Sequence, residues 1–196
     1  MARPQSITDE EILEAAREVF LEQGPQVPTS EIAARAGISE GTIYRRFETK
    51  EELFEAAMGI AEPDWFETIR QLEDSEDLED ALVTIADEIV DFFFDLVPKM
   101  TMMMSSGTDH AGLFKGKPEA PPIRAIKVLS GFFAAQQKAG RVGDCDPEIV
   151  ARMFLGTLFH FVFTEYAGIN DFMRMPRQTF VRGVVASVLD GIASEE

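Results

Sequence analysis

Ser39, Gly41, Thr42, Tyr44, Arg45, Arg46 and Lys50 carry chemistry suited to recognising a partner rather than to making or breaking bonds. Hydroxyls and amides donate to phosphate oxygens, and an arginine fork can meet two acceptors on one base edge. Their surroundings supply the frame. Ile32, Ala33 and Ala36 fall on one helical face, and Gly37 accepts the positive φ that ends such a helix. Ile38 can plug the space that follows. Ser39 is a strong N-cap, with its hydroxyl placed for the amide near Thr42. Ile43 and Phe47, four apart, face inward and leave Gly41, Thr42, Tyr44 and Arg45 outward. Two short helices joined by a tight turn, the second with a small and polar outer edge, make a helix-turn-helix with its DNA-reading helix over about 39–47.

The elements that hold this motif are helical. Thr8-Asp-Glu-Glu11 is a capping box, and Ile12, Ala15, Ala16, Val19 and Phe20 follow at helical spacing. That helix stops at Gly24-Pro25, and Pro28 suits the opening turn of the next. Thr49-Lys-Glu-Glu52 reads as a second capping box, starting a helix with Leu53, Phe54 and Met58 inward. Lys50 at its amino terminus marks a phosphate-binding point. Arg3 lies in an amino-terminal arm that either reaches a groove or does nothing. For Arg35 and Arg46, pairing with nearby glutamates competes with a role on DNA.

Beyond residue 58 the helices become larger and greasier. Pro63 interrupts or restarts the fourth helix, which goes on through Trp65, Phe66, Ile69 and Leu72. Ser75-Glu-Asp opens a long helix to about Val97, and Pro98 starts a short Met-rich segment to about Met104. Residues 107–120 read as a loop. Pro121-Pro122 begins a helix ending near Gly140, and Asp146-Pro147 opens another to about Gly168. A last helix runs from about Pro176 to Ala193. The prediction is an all-α chain of about nine helices. An N-terminal three-helix DNA-binding domain (1–58) precedes a C-terminal helical domain (59–196), for which the resemblance given below implies ligand binding and dimerisation.

Composition sets bounds on function. The 196 residues are 45 % apolar with one cysteine, which suits a reducing compartment and excludes an internal disulfide framework. No apolar run approaches the ~20 residues of a membrane span, and the start lacks the apolar core of a signal peptide, so a cytoplasmic protein is expected. Net charge is −17, and the first 57 residues hold twelve carboxylates against six cations. A global basic footprint for nucleic acid is absent. Screening over about 8 Å mutes the distant acids, so Arg3, Arg45, Arg46 and Lys50 can still act as a local patch. Modest non-specific affinity and a shallow salt slope follow.

Catalysis finds little support. No histidine pair stands at metal-ligand spacing, and there is no glycine-rich phosphate loop or nucleophile elbow. Cys145 lies between Asp144 and Asp146, which should raise its pKa, the opposite of an activated thiolate. No catalytic residue, metal or cofactor is assigned.

Ile12-Leu-Glu-Ala-Ala16, Phe20, Gly24, Ile32-Ala33, Ala36-Gly-Ile-Ser39, Gly41-Thr-Ile-Tyr-Arg45, Phe47 and Lys50-Glu-Glu-Leu-Phe54 together resemble the DNA-binding domain of the TetR family of bacterial regulators. Residues 140–156 resemble, more loosely, the start of that family's dimerising helix pair. Glu40 departs from the pattern by placing a carboxylate near DNA, and Arg46 replaces a common histidine. The 24–32 loop is about one residue short. These departures bear on the operator, not on the motif.

The resemblance implies a repressor dimer whose reading helices enter successive major grooves of a palindromic operator and leave when a small ligand binds. Thr42 and Tyr44 would then contact phosphates, Arg45 would read a base, and Lys50 would hold the backbone. It also implies a ligand cavity among the middle helices. Trp65, Phe93, Met100, Met103, Phe132, Phe133 and Phe154 are the lining candidates, and aromatics with flexible methionines suit a bulky apolar effector. Plain core packing is the alternative for each. Asp91 or Glu88 could balance a cationic ligand, or lie on a solvated face. His160 fits a core or interface position better than a ligand contact. Leu158, Phe161, Val181, Val184, Val185 and Val188 are candidates for a four-helix homodimer interface, because they exceed what one thin apolar layer needs. A helical carrier of hydrophobes without DNA-binding activity is the competing reading, and it leaves Thr42, Tyr44 and Arg45 unexplained.

Overall fold

The computed structural model describes residues 7–60, 62–106 and 116–191. Arg3, His110, Ala193 and most of the 107–120 loop lie outside the described residues. Every regular element among the described residues is helical: α1 (Asp9–Gln23), α2 (Thr29–Ala36), α3 (Glu40–Ile43), α4 (Lys50–Ala57), α5 (Trp65–Leu72), α6 (Leu78–Ser105), α7 (Pro121–Lys138), α8 (Pro147–Tyr166) and α9 (Arg177–Gly191), with a 3-10 turn at Ile169–Asp171. The fold is all-α, as the periodicity predicts. One compact unit draws on Met1–Ala61 and Pro98–Leu113, the other on Glu62–Val97 and Phe114–Glu196.

Local chemistry fixes the helix starts. Thr8 caps α1 reciprocally: its hydroxyl accepts from the Glu11 amide at 3.2 Å, and Glu11 accepts from the Thr8 amide at 2.7 Å. The Thr8 amide first, and second the Thr8 hydroxyl, which also donates to the Glu11 carboxylate at 2.9 Å, hold that carboxyl below its usual range. At α4 only half of the expected box forms. Thr49 accepts from the Glu52 amide at 3.0 Å, but the Glu52 carboxylate takes the amide of Glu48, one residue earlier than expected. Asp146 accepts from the Glu148 and Ile149 amides and caps α8, with Pro147 at its first position.

The core of the first unit is built from Ile12, Ala16, Val19 and Phe20 of α1, Ile32 and Ala33 of α2, Ile43, Phe47, and Leu53, Phe54 and Ala57 of α4. Phe20 meets Phe54 edge to face at 5.0 Å. Met102 and Met103, from the end of α6, also pack on this core. The second unit has its own cluster, in which Trp65, Phe66 and Ile69 of α5 meet α6, α7, α8 and α9.

One boundary departs from the expectation. A helix ending near Val97 and a separate Met-rich segment were expected, yet α6 runs unbroken to Ser105 with Pro98 inside it. An interior proline removes one helical hydrogen bond and crowds the preceding turn, at a cost of about 3 kcal/mol. Burial of Phe93 and Val97 before it and packing of Met102 and Met103 after it offset that cost. Pro98→Ala should therefore raise the unfolding midpoint by several degrees, at roughly 2–4 °C per kcal/mol for a chain of this size. Calorimetry checks this, and an unchanged or lowered midpoint would mean that the helix has adapted to its proline.

Candidate nucleic-acid interface

The turn between α2 and α3 is built as its sequence suggests. Gly37 adopts φ +67°, and its amide returns to Ala33 and Ala34. Ser39 accepts from the Thr42 amide at 3.3 Å, and the two hydroxyls are 3.0 Å apart. The regular α-helix is shorter than the expected 39–47, because it ends at Ile43. The next turn tightens, with the amides of Arg46 and Phe47 both donating to the Ile43 carbonyl at 2.9 Å. Ile43 and Phe47 stay buried at 1 % and 8 % exposure, so the outward edge keeps the predicted residues.

Along that edge the side chains hold one another. Arg45 donates from Nε to the Gly41 carbonyl at 3.2 Å and from Nη2 to the Thr42 hydroxyl at 3.0 Å. Its guanidinium is exposed yet tied to its own helix. A Cβ built on Gly41 would meet only the Ser39 hydroxyl, at 3.8 Å, so nothing inside the protein requires glycine there. Tyr44 is 45 % exposed, and its hydroxyl lies 3.0 Å from that of Thr29. Lys50 is half-buried in the first turn of α4.

The remaining arginines are occupied. Arg35 donates to Glu18 at 2.8 Å and to Glu22 at 2.6 Å, an engagement that holds Glu22 below the usual glutamate range and raises Arg35. Arg46 donates to Asp9 at 2.6 Å, so its partner is an aspartate of α1 and not a glutamate. Sequence reasoning missed Thr29 and Asp9 as supports of this edge. In the sequence Asp9 reads only as part of a capping box and Thr29 carries no reading, because nothing local signals a partner elsewhere in the chain.

In the second unit, five of the seven pocket candidates share one apolar cluster: Trp65, Phe93, Phe132, Phe133 and Phe154. Phe133 meets Phe132 at 5.8 Å and Phe154 at 6.1 Å, both edge to face. Met103 instead packs on the core of the first unit, and Met100 is half-buried on α6. The interface candidates also divide. Leu158, Phe161, Val181 and Val185 are at most 4 % exposed within the single chain and serve its own core. Val184 and Val188 line an open groove of about 650 Å³ along α8 and α9, with Met153, Thr157, Gly183 and Gly191. Ile149, Met153 and Phe163 are exposed, and so is His160, which lies outside the subunit core. Asp91 is held by Arg177 at 2.5 Å. Cys145 is raised by burial first and then by Asp144 and Asp146, so it is no reactive thiolate.

The profile of the bacterial regulatory proteins of the tetR family matches residues 12–57. The HTH-type transcriptional repressor BepR of Brucella suis biovar 1 (strain 1330) is 47 % identical over 55 residues, a match covering 28 % of this chain and 26 % of that protein. Over nearly the whole length the fold is similar to FadR from Bacillus subtilis, solved in complex with stearoyl-CoA: TM-score 0.69, 19 % identity, 94 % of this chain and 100 % of that one. It is also similar to SmeT, the repressor of the Stenotrophomonas maltophilia multidrug efflux pump SmeDEF: TM-score 0.67, 19 % identity, 97 % of this chain and 92 % of that one. The matched segment, Ile12 to Ala57, contains the glycine-ended turn and the reading edge described above, so this part of the chain is similar to the DNA-binding domain of the tetR family of bacterial regulatory proteins, and the match spans about a quarter of the curated relative's length.

Proposed function

We propose that this chain is a cytoplasmic, ligand-responsive DNA-binding transcriptional regulator, acting as a homodimeric repressor released from a palindromic operator by a small, largely apolar molecule. In this reading residues 1–58 bind DNA and residues 59–196 sense the ligand and dimerise. The observation that carries it is the outward edge of α3. Gly41, Thr42, Tyr44 and Arg45 stand clear of a core that Ile43 and Phe47 already complete, and the hydroxyls and guanidinium are oriented by bonds among themselves. Ordering these groups before contact lowers the entropy lost on binding. Arg45 is the base reader, where a bidentate guanine contact discriminates by about 1–3 kcal/mol. Arg46 can join only by leaving Asp9.

A second copy of the chain is the natural occupant of the groove on α8 and α9. Gly156 and Gly183 lie inside helices, where glycine costs about 1 kcal/mol relative to alanine, and a Cβ on either would meet nothing of this chain. The backbone of a partner helix would use that space. An apolar effector agrees with the aromatic cluster and with the stearoyl-CoA carried by one protein of the same fold.

The test is selection of bound duplexes from a random DNA library, comparing wild type with Arg45→Ala. Wild type should enrich a palindrome with half-site centres about one helical turn apart, or a multiple of it. The variant should lose or relax that enrichment. If low salt yields no enriched sequence, the regulator reading fails and the carrier reading replaces it.

A further inference from the structure

Of the two arginines in the reading turn, Arg46 alone is held by a carboxylate. It follows Arg45 directly, in the tightened turn that closes on Phe47, and Lys50 opens α4 just beyond. Its guanidinium donates from Nη1 to the Asp9 carboxylate at 2.6 Å, although the two residues stand 37 apart in the chain. Asp9 is the first residue of α1. The bond therefore sets the acidic opening turn of that helix, Asp9, Glu10 and Glu11, beside the edge that faces DNA in the reading above.

The helix itself does not need this carboxylate. Thr8 and Glu11 already cap α1 between them, and Asp9 makes no other side-chain hydrogen bond among the described residues. Its acidic neighbours are engaged elsewhere: Glu11 with Thr8, and Glu10 loosely with Arg17 at 3.9 Å. The Asp9 side chain is 67 % exposed and that of Arg46 29 %. A pair so open to water holds its members only weakly. A phosphodiester offers a guanidinium the same kind of charged oxygen, within a much denser array of negative charge.

We infer, resting on the DNA-binding reading above, that Asp9 limits the grip of this chain on a duplex by standing in for a phosphate. In the free protein Arg46 lies on the Asp9 carboxylate. On DNA it exchanges that partner for a backbone phosphate, and Asp9 is left beside the duplex as a repelling charge. Each binding event thus loses an ion pair and gains a like-charge neighbour. Phosphates are the same at every sequence, so the penalty falls on operator and random DNA alike.

Anisotropy titrations of the full chain test this over a range of salt, on one duplex carrying the selected palindrome and one of random sequence. Asp9→Asn should tighten binding to both by about two- to fivefold, the scale of one exposed ion pair. Its affinity should also fall more steeply with salt, by about one unit in the log–log slope, because one more phosphate contact forms without a competing carboxylate. Glu10→Gln removes the same charge one residue along α1 without freeing Arg46; it should gain less and keep the wild-type slope. In an Arg46→Ala background, Asp9→Asn should gain no more than Glu10→Gln does.

A gain in Asp9→Asn that merely equals that of Glu10→Gln overturns the competition and leaves the DNA-binding reading standing. So does a gain that survives Arg46→Ala, or one that comes with an unchanged salt slope. If neither wild type nor Asp9→Asn binds either duplex at low salt, the DNA-binding reading falls as well.

Discussion

Gly41→Leu should fold at least as well as the wild type and lose specific DNA binding. A Cβ on Gly41 meets only the Ser39 hydroxyl, at 3.8 Å, and the position is exposed, so a side chain there has solvent to extend into. Leucine is also the better helix former, by roughly 0.5–1 kcal/mol, and the unfolding midpoint should hold or rise slightly. The cost falls on the complex. On the proposed reading the α3 backbone approaches the duplex closely enough for Thr42 and Arg45 to reach it, and four added carbons would hold it away. Affinity should drop by about a thousandfold or more, toward the level of non-specific binding. Anisotropy titration on the selected operator at fixed salt, beside a melting curve, gives both readouts. Unaltered affinity would remove α3 as the reading element.

Met153→Glu should give a folded monomer that no longer holds its operator. Met153 is 61 % exposed and lines the groove between α8 and α9, so a carboxylate there costs the isolated subunit almost nothing. In a twofold interface it meets its own copy or an apolar neighbour, and an unpaired charge buried on association costs several kcal/mol. Loss of one subunit removes half of the phosphate and base contacts, and operator affinity should fall by two or more orders of magnitude. Leu158→Glu is the contrast on the same helix. Leu158 is fully buried within the subunit, so that variant should fail to fold rather than fail to pair. Sedimentation across a range of concentrations tells the two apart. A dimeric Met153→Glu would exclude the groove as the interface.

This contrast shows where the sequence was legible. Short-range signals read well: Thr8, Gly37, Ser39 and Asp146 act on amides or carbonyls within a few residues, and the chemistry of a cap is fixed by the residues themselves. The inward pair Ile43 and Phe47 was equally plain, because a helix on a small core has one apolar side. On α8 the same logic failed. That helix is apolar around most of its circumference, so periodicity groups Leu158 with Phe161 but cannot say whether that face meets its own subunit or another. Pro98 failed differently, since a local helix breaker was outweighed by burial that depends on distant residues. Arg46 and Asp9, 37 residues apart, had no local signal at all.

The occupied arginines also have a consequence for behaviour in a cell. A repressor with a broad basic surface is mostly parked on random chromosomal sites, and that reservoir buffers its free concentration. Here Arg35 and Arg46 are already committed to carboxylates, and the chain carries a net charge of −17. If the chain is the repressor proposed above, little of its population should be sequestered by bulk DNA, and a small change in copy number should move operator occupancy almost directly.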